Sequence, residues 1–141
     1  MRRRWVLSVA ALEFAVLVLA GCHGVGGPVS DSLDGTSWLV VSLEDKASLP
    51  GIKMTAVFDT SKLHGFSGCN QFGGSYTVIG DRIRINELQS TLMACLAPEG
   101  AMDQEQKFLT LLSASDSYRL ADGHLRLLHS GQVVLDFIPH D

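Results

Sequence analysis

The 141-residue sequence lacks the short motifs that mark most enzymes and metal proteins. It has no GxGxxG or GxxxxGK[ST] loop for phosphate, and no CxxC, HExxH or EF-hand pattern for a metal ion. His64, His124 and His129 could in principle supply a base. The candidate nucleophiles Cys69 and Cys95, however, stand in no protease or hydrolase signature. We therefore expect a non-catalytic protein with no cofactor and no metal site.

Positive charge is scarce, since the sequence has 11 Lys and Arg residues against 15 Asp and Glu residues. Residues 1–21 hold three arginines and one glutamate, so without them 8 basic and 14 acidic side chains remain, a formal charge of −6. A domain with this charge and no basic patch disfavours nucleic acid as a partner. A basic macromolecule would suit it, although acidity that only keeps the domain soluble is the simpler explanation.

No apolar run reaches the roughly 20 residues that cross a bilayer core. The longest, residues 5–19, follows three arginines and ends in Leu19-Ala20-Gly21-Cys22. A basic segment, an apolar segment and a pair of small residues are the parts of an export signal, so residues 1–21 are predicted to be a signal peptide. An uncleaved membrane helix is the alternative, and Glu13 near its middle argues against that.

The stretch that ends at Cys22 resembles a bacterial lipobox. This resemblance implies that Cys22 becomes the first mature residue, with diacylglycerol on its thiol and an acyl chain such as palmitate on its amine. Two or more chains hold a protein stably at a membrane. His23 stands where enterobacterial lipoproteins retained in the inner membrane carry aspartate, which implies the outer membrane, facing the periplasm.

The rest of the chain is predicted to be a tether followed by one domain. Residues 22–32 are rich in glycine and have no periodicity, so they predict a flexible tether with a mean reach of about 17 Å. Residues 33–138 suffice for one hydrophobic core and are too few for two domains.

With Cys22 assigned to lipid, Cys69 and Cys95 are the remaining thiols. An even pair in an export compartment favours a disulfide, and two separate buried thiols are the alternative. Closing a loop of this span would stabilise the fold by roughly 3 to 4 kcal/mol.

Two runs of alternating apolar residues predict half-buried strands in the first half of the domain. The side chains expected to face inward are Leu39, Val41 and Leu43 in the first run, and Ile52, Met54, Ala56 and Phe58 in the second.

Two short turns between alternating runs predict β-hairpins. Gly80-Asp81 joins two strands, the second of which should turn Ile83 and Ile85 inward. Asp122-Gly123 joins the next two, and a last strand follows in residues 133–137.

A helix is predicted to begin near Pro98, which suits a first helical turn, and to end within residues 113–117. One side of it carries Ala101, Glu105, Phe108, Leu109 and Leu112. We expect the stem of Glu105 to lie over the core with its carboxylate in water. A buried carboxylate paired with an arginine or with backbone amides is the alternative.

About eight short strands and one amphipathic helix leave too few helices for a βαβ plan. The predicted fold is therefore α+β and mainly antiparallel β: a curled meander sheet or half-barrel, with the helix packed against it or across one end. Residues 63–74 stand apart because they hold four glycines, which predict bulges, a sharp turn or close backbone approach.

Several segments in order resemble the META domain, or HslJ-like, family across residues 33–137. They are Leu33 to Trp38, Gly68-Cys69-Asn70, Ser90 to Cys95, Glu105 with Phe108-Leu109, and Leu125-Arg126-Leu127. The resemblance implies a small β domain with a helix, often exported and lipid-anchored in bacteria. It links the domain to stress tolerance or motility without an established activity.

The motif residues are expected to have structural roles. A bridge between Cys69 and Cys95 would join the glycine-rich turn to the end of a strand that leads into the helix. Asn70 could adopt a left-handed turn conformation or cap neighbouring backbone groups, and Thr91 could hydrogen-bond locally. The motif residues are Trp38, Gly68, Asn70, Gly74, Tyr76, Thr91 and Met93.

These observations predict a lipid-anchored binding module of the cell envelope that serves stress tolerance or envelope maintenance. Its expected partners are the membrane, through Cys22, and another envelope protein. The first alternative is an inhibitor that sequesters a basic enzyme such as lysozyme. A third hypothesis is a carrier that holds a small apolar ligand inside the barrel.

Overall fold

A computed structural model describes residues 32–141, so the predicted signal peptide, the lipidation of Cys22 and nearly all of the tether lie outside the described residues. The described residues form nine strands and one helix: β1 (Thr36–Leu43), β2 (Lys46–Ala47), β3 (Thr55–Asp59), β4 (Lys62–Phe66), β5 (Gln71–Ile79), β6 (Arg82–Ser90), α1 (Ala101–Ala114), β7 (Ser117–Ala121), β8 (His124–His129) and β9 (Gln132–Pro139).

The strands form one antiparallel sheet that curls into a ring. Their order is β2-β1-β3-β4-β5-β6-β7-β8-β9, and pairing of β1 with β9 closes the ring. The ring is not a regular barrel, because β6 and β7 share a single pair, Arg82 with Ser117. The predicted α+β fold with a curled antiparallel sheet is confirmed, and the two-residue β2 is a strand beyond the eight that were expected.

The interior of the ring is filled by its own side chains. Phe58, Phe108 and Phe137 are all fully buried. Two edge-to-face ring pairs lie in this core. Phe58 and Tyr76 pair within the sheet at 5.0 Å, and Phe72 and Phe108 join the sheet to the helix at 5.6 Å. The helix supplies Phe108, Leu111 and Leu112 to this core from one end of the ring.

Both predicted hairpins are present, and each turn uses the residues expected of it. Gly80 joins β5 to β6 with a φ of 63°, and Asp122 and Gly123 join β7 to β8 with φ of 56° and 76°. Because these turns require positive φ, glycine and aspartate suit them. Ile83 and Ile85 face inward as predicted.

The inward face of β1 differs from the prediction. Trp38, Val40 and Leu43 are buried, whereas Leu39 and Val41 are only half-buried. The pairing with β9 shifts register between Val40 and Ser42. A bulge at this point places two successive outward residues between Val40 and Leu43, so strict alternation selected the wrong face for Leu39 and Val41.

The helix begins at Ala101 and not near Pro98. Gly100, the residue before it, has a φ of 84°, which lies outside the right-handed helical region. Pro98 instead belongs to the turn before the helix, where its carbonyl accepts a hydrogen bond from the N–H of Ala101. The helix ends at Ala114, within the predicted range, and Leu111 rather than Leu109 is buried.

The glycine-rich stretch contains the close approaches and the bulge that its composition predicts. A Cβ on Gly65 would lie 2.1 Å from the carbonyl oxygen of Thr55, and one on Gly74 would lie 2.7 Å from that of Asn86. The β5–β6 pairing shifts register between Gly73 and Ser75. Strands β3 to β6 therefore approach more closely here than side chains would allow.

Candidate functional site

Three parts of the chain meet at the end of the ring where the helix lies. They are the turn between β4 and β5 (residues 67–70, the β4–β5 turn), the buried face of α1, and residues 91–96, which follow β6 (the apolar segment). The motif residues Gly68, Asn70, Thr91 and Met93 lie in these parts, whereas Trp38, Gly74 and Tyr76 lie in strands of the ring.

Glu105 is the centre of this end, and its carboxylate is buried. The side chain is 5% exposed. Its Oε2 accepts hydrogen bonds from Ser67 Oγ at 2.7 Å, from the N–H of Cys69 at 3.0 Å and from the N–H of Asn70 at 2.7 Å. Its Oε1 accepts one from Asn70 Nδ2 at 2.6 Å. The expected water-exposed carboxylate is therefore wrong, because the β4–β5 turn supplies donors that replace water.

The hydrogen bonds keep this carboxylate ionised. Burial by itself raises the pKa of Glu105, but the hydrogen bonds from the side chains of Ser67 and Asn70 and from the N–H groups of Asn70 and Cys69 lower it more, so the pKa lies below its ordinary value. A charge held by several preorganised donors ties α1 firmly to the β4–β5 turn.

The side chain of Asn70 links the Glu105 carboxylate to the apolar segment. Its Nδ2 donates to the carbonyl of Met93 at 3.0 Å, and its Oδ1 accepts from the N–H of Met93 at 2.7 Å. The hydroxyl of Thr91 donates to the same Oδ1 at 2.7 Å. Asn70 therefore bonds to the backbone of a residue 23 positions away, and Thr91 likewise bonds to a different part of the chain rather than locally.

A disulfide joins the same two parts covalently. Cys69 of the β4–β5 turn is bonded to Cys95, with their Cα atoms 5.9 Å apart. Cys95 does not end a strand, as the sequence suggested, because β6 stops at Ser90. The N–H of Cys95 donates to Met102 Sδ at 3.3 Å, which links the segment to the first turn of α1 as well.

The apolar segment presents large hydrophobic side chains to solvent although its backbone is fixed. Leu92 is 97% exposed, Leu96 94% and Met93 59%. Phe66 and Met102, at the same end of the ring, are also more than one-third exposed. A cluster of exposed apolar side chains at one end of a folded protein is a candidate site of interaction. The sequence motif located this segment but gave no signal that Leu92 and Leu96 would be exposed.

The remaining motif residues support the fold. Trp38 is buried and its Nε1 donates to Thr36 Oγ1 at 2.7 Å. Burial raises the pKa of Tyr76, and the nearby charges of Asp34 and Asp59 raise it further. Gly68 has a φ of 112°, and a Cβ there would lie 2.8 Å from Ile52 Cγ2.

The histidines are not brought to the cysteines. His124 Nδ1 lies 2.8 Å from Asp136 Oδ1 on neighbouring strands, and His129 Nδ1 lies 2.7 Å from the carbonyl oxygen of Ala114. His64 is exposed on β4. Within residues 32–141, no three His, Cys, Asp or Glu side chains come together as metal ligands. In the same residues, no helix combines the length and apolar character needed to cross a bilayer.

Comparisons with known proteins show a family match and several similar folds. The family model for the META domain matches residues 31–141. The NMR structure of a protein from Burkholderia xenovorans is similar, with 27% identity, a TM-score of 0.62, and coverage of 77% of this chain and 83% of that chain. The crystal structure of a DUF4847 family protein from Bacteroides vulgatus, with 15% identity, a TM-score of 0.57, and coverage of 80% and 99%, shares the fold. No curated protein matches the chain.

Proposed function

The chain belongs to the META domain family, and on this premise we propose that it is a non-catalytic binding module. In this proposal a lipid anchor holds it in the bacterial cell envelope, where it serves stress tolerance or envelope maintenance. The binding surface in this proposal is the apolar segment, with Leu92 and Leu96 as its main contacts.

The observation that carries the proposal is the combination of exposure and fixation in the apolar segment. Leu92 and Leu96 are almost fully exposed, yet the residues between them are held by a disulfide and by the side chain of Asn70. Exposed apolar side chains on a preorganised backbone bind with little loss of conformational entropy. Burying a leucine side chain that is exposed in the free protein contributes about 1.5–3 kcal/mol.

Two features support a location in the cell envelope. The disulfide between Cys69 and Cys95 is of the kind that persists in oxidising compartments. The N-terminal sequence that ends at Cys22 resembles a lipobox, so a lipid anchor on Cys22 would hold the domain at a membrane.

Anchoring is tested with Cys22→Ala in the full chain. Cells are grown with an alkyne-tagged palmitate, and the protein is followed by label and by membrane fractionation. We expect the original chain to carry label and sediment with membranes, and the variant to lose the label. Equal labelling of both chains, or no label on either, would contradict lipidation at Cys22.

Binding is tested by photocrosslinking in intact cells. A photoreactive amino acid replaces Leu92 in one variant and Ile79 in the control. Ile79 is 83% exposed at the β5–β6 turn, so it is matched in exposure and lies away from the apolar segment. We expect a discrete adduct from position 92 and none from position 79. No adduct at 92 beyond that of the control would refute the proposed binding surface.

The two other hypotheses fare differently. The interior of the described ring is filled by Phe58, Phe108, Phe137 and their neighbours, which disfavours a carrier of an apolar ligand. The inhibitor hypothesis stays a prediction, favoured by the negative charges of Asp34 and Asp59 near Tyr76. Capture of a basic enzyme there should weaken steeply as salt rises, and binding that salt does not change would count against it.

A further inference from the structure

The backbone of the apolar segment bonds to the fold only at alternate residues. The N–H of Thr91 donates to the carbonyl of Gln71 at 3.0 Å. Met93 bonds to Asn70 through both its N–H and its carbonyl, and the N–H of Cys95 donates to Met102 Sδ. In an extended chain, the backbone groups of consecutive residues point to opposite edges, and those of alternate residues point to the same edge. The odd-numbered residues therefore form the edge that faces the protein.

The even-numbered residues form the opposite edge. Among the described residues, none bonds to the backbone N–H or carbonyl of Leu92, Ala94 or Leu96. Proteins usually blunt such an edge with charged side chains or proline. Residues 91–97 contain neither, since their sequence is TLMACLA. The segment thus has the bonding pattern of an unpaired strand edge with an apolar outer face, and we call it the free edge.

The free edge is complementary to itself. If two copies pair antiparallel around a two-fold axis at Ala94, then Ala94 faces Ala94 and Leu92 of each copy faces Leu96 of the other. All three even-numbered residues then occupy hydrogen-bonded positions of the new ladder, which matches the edge on which their N–H and carbonyl groups lie. The small side chain of Ala94 at the axis lets the strands approach, while the leucines cover one another.

We propose that the partner of the apolar segment is a second copy of this chain, joined by antiparallel pairing of the two free edges around Ala94. The inference rests on the proposed binding surface and names its occupant. An interface of this kind is isologous, since the same patch serves both copies. It would bring Leu92 of each copy into contact with Leu96 of the other, two side chains that are 97% and 94% exposed in the single chain.

A bilayer is the less suitable occupant of the same surface. The hydrocarbon core offers no hydrogen-bond partners, so insertion would leave the N–H and carbonyl groups of the free edge unsatisfied. The position of the first described residue agrees. Ser32 lies beside Thr60 and Val78, at the far end of β5 from Gln71 and Thr91.

The pairing is tested in intact cells with Ala94→Cys in the full chain. Across a hydrogen-bonded antiparallel pair the Cα atoms lie about 5.5 Å apart. This separation falls inside the range of roughly 4.4 to 6.8 Å that a disulfide spans. We expect a species of twice the chain mass on non-reducing gels. Ser113→Cys is the control, because Ser113 is exposed on α1 and bonds only to its own helix.

The photocrosslink at Leu92 separates the two proposals. An adduct of twice the chain mass, together with a disulfide-linked dimer of the Ala94→Cys variant, supports the second copy. An adduct with a different protein, without that disulfide-linked dimer, overturns the second copy and leaves the binding surface standing. Absence of both products overturns both. An adduct of position 92 with lipid rather than with protein would assign the surface to a membrane and overturn the pairing.

A second variant tests the hydrogen-bonded geometry itself. Ala94→Pro removes an N–H that has no partner in the described fold, and Ala94→Val keeps it. For the purified full chain in mild detergent, light scattering should show a dimer whose dissociation constant rises at least tenfold in Ala94→Pro. A urea midpoint equal to that of the original chain verifies that Ala94→Pro is folded. If Ala94→Pro does not fold, Leu96→Asp is measured instead. Dimerisation unchanged in the folded variant, or a monomer at all concentrations of the original chain, refutes the pairing.

Discussion

Glu105→Gln replaces one oxygen of the buried carboxylate with an NH₂ group and keeps the size of the side chain. In the original protein Oε2 accepts three hydrogen bonds and Oε1 accepts one, from Asn70 Nδ2 at 2.6 Å. If the oxygen of the new amide takes the position of Oε2, its NH₂ group meets the NH₂ group of Asn70. If the amide turns over, its NH₂ group meets Ser67 and two backbone N–H groups instead. Either way a donor faces a donor.

The loss can be worked out from the bonds. A hydrogen bond to a charged group contributes about 1.5–3 kcal/mol and a neutral one about 0.5–1.5 kcal/mol, so three bonds that survive neutralisation lose about 3 kcal/mol. An unsatisfied buried N–H costs about 1–3 kcal/mol more. The neutral amide is easier to bury than the carboxylate, which offsets part of this. We expect the free energy of unfolding to fall by about 3 kcal/mol, and the melting temperature by roughly 10 °C.

The same substitution should change how stability depends on pH. Because the pKa of Glu105 is lower in the folded protein than its ordinary value, ionisation of this group stabilises the fold. That contribution is complete above the unfolded pKa of about 4.3 and is lost as the pH falls through the lower folded pKa. The difference in stability between Glu105→Gln and the original protein should therefore be largest at neutral pH and shrink below about pH 4.

Urea unfolding of the purified protein, followed by the fluorescence of the buried Trp38, measures both effects at pH 7 and pH 3.5. Asp103→Asn is the control, because Asp103 is an exposed acid in the first turn of the same helix and should cost only a few tenths of a kcal/mol. The reasoning fails if Glu105→Gln is no more destabilising than this control, or if its cost is the same at both pH values.

Three further changes give independent predictions. Asn70→Asp places a second carboxylate 2.6 Å from the buried one, and should lower the free energy of unfolding at neutral pH by about 3 kcal/mol or more, measured by urea unfolding. Reducing the bond between Cys69 and Cys95, which are 26 residues apart, should cost about 3.5 kcal/mol on the chain-entropy account, measured with and without reductant. Gly65→Ala should lower the free energy of unfolding by about 2 kcal/mol or more, because its Cβ would lie 2.1 Å from a carbonyl oxygen. The melting temperature should fall with it. Gly73→Ala, with 3.9 Å of room, is its control.

Each of these predictions can fail in a distinct way. An Asn70→Asp protein as stable as the original would mean that the carboxylates share a proton at no cost. Equal stability with and without reductant would mean that the hydrogen bonds alone fix the apolar segment. Equal melting temperatures for the two glycine variants would mean that β3 and β4 can separate to admit a methyl group.

The hairpins could be predicted from the sequence because each depends on the turn residues and on the strands directly beside them. The turns at Gly80 and Asp122-Gly123 need positive φ, and the strands on either side alternate with a period of two. The same rule failed in β1, where one bulge at Val41 changed which side chains face inward. A bulge depends on the partner strand, β9, which is nearly 100 residues away along the chain.

The environment of Glu105 could not be predicted from its own helix. A carboxylate on an apolar helix face has two outcomes, and the choice depends on donors from Ser67, Cys69 and Asn70, which precede it by 35 to 38 residues. The motif did indicate that the β4–β5 turn, the apolar segment and the helix belong together. It did not indicate that one carboxylate connects them, nor that Leu92 and Leu96 remain uncovered.

The chain of contacts from α1 through Asn70 to Met93 has a consequence for the folding of the protein. Met93 is held by Asn70, and Asn70 is oriented by Glu105, so the strand-like order of residues 91–96 depends on a docked helix. Rigid unpaired strands are the templates on which misfolded chains aggregate. Because a docked helix helps to order this one, we expect chains whose helix has not yet packed to present a less ordered edge.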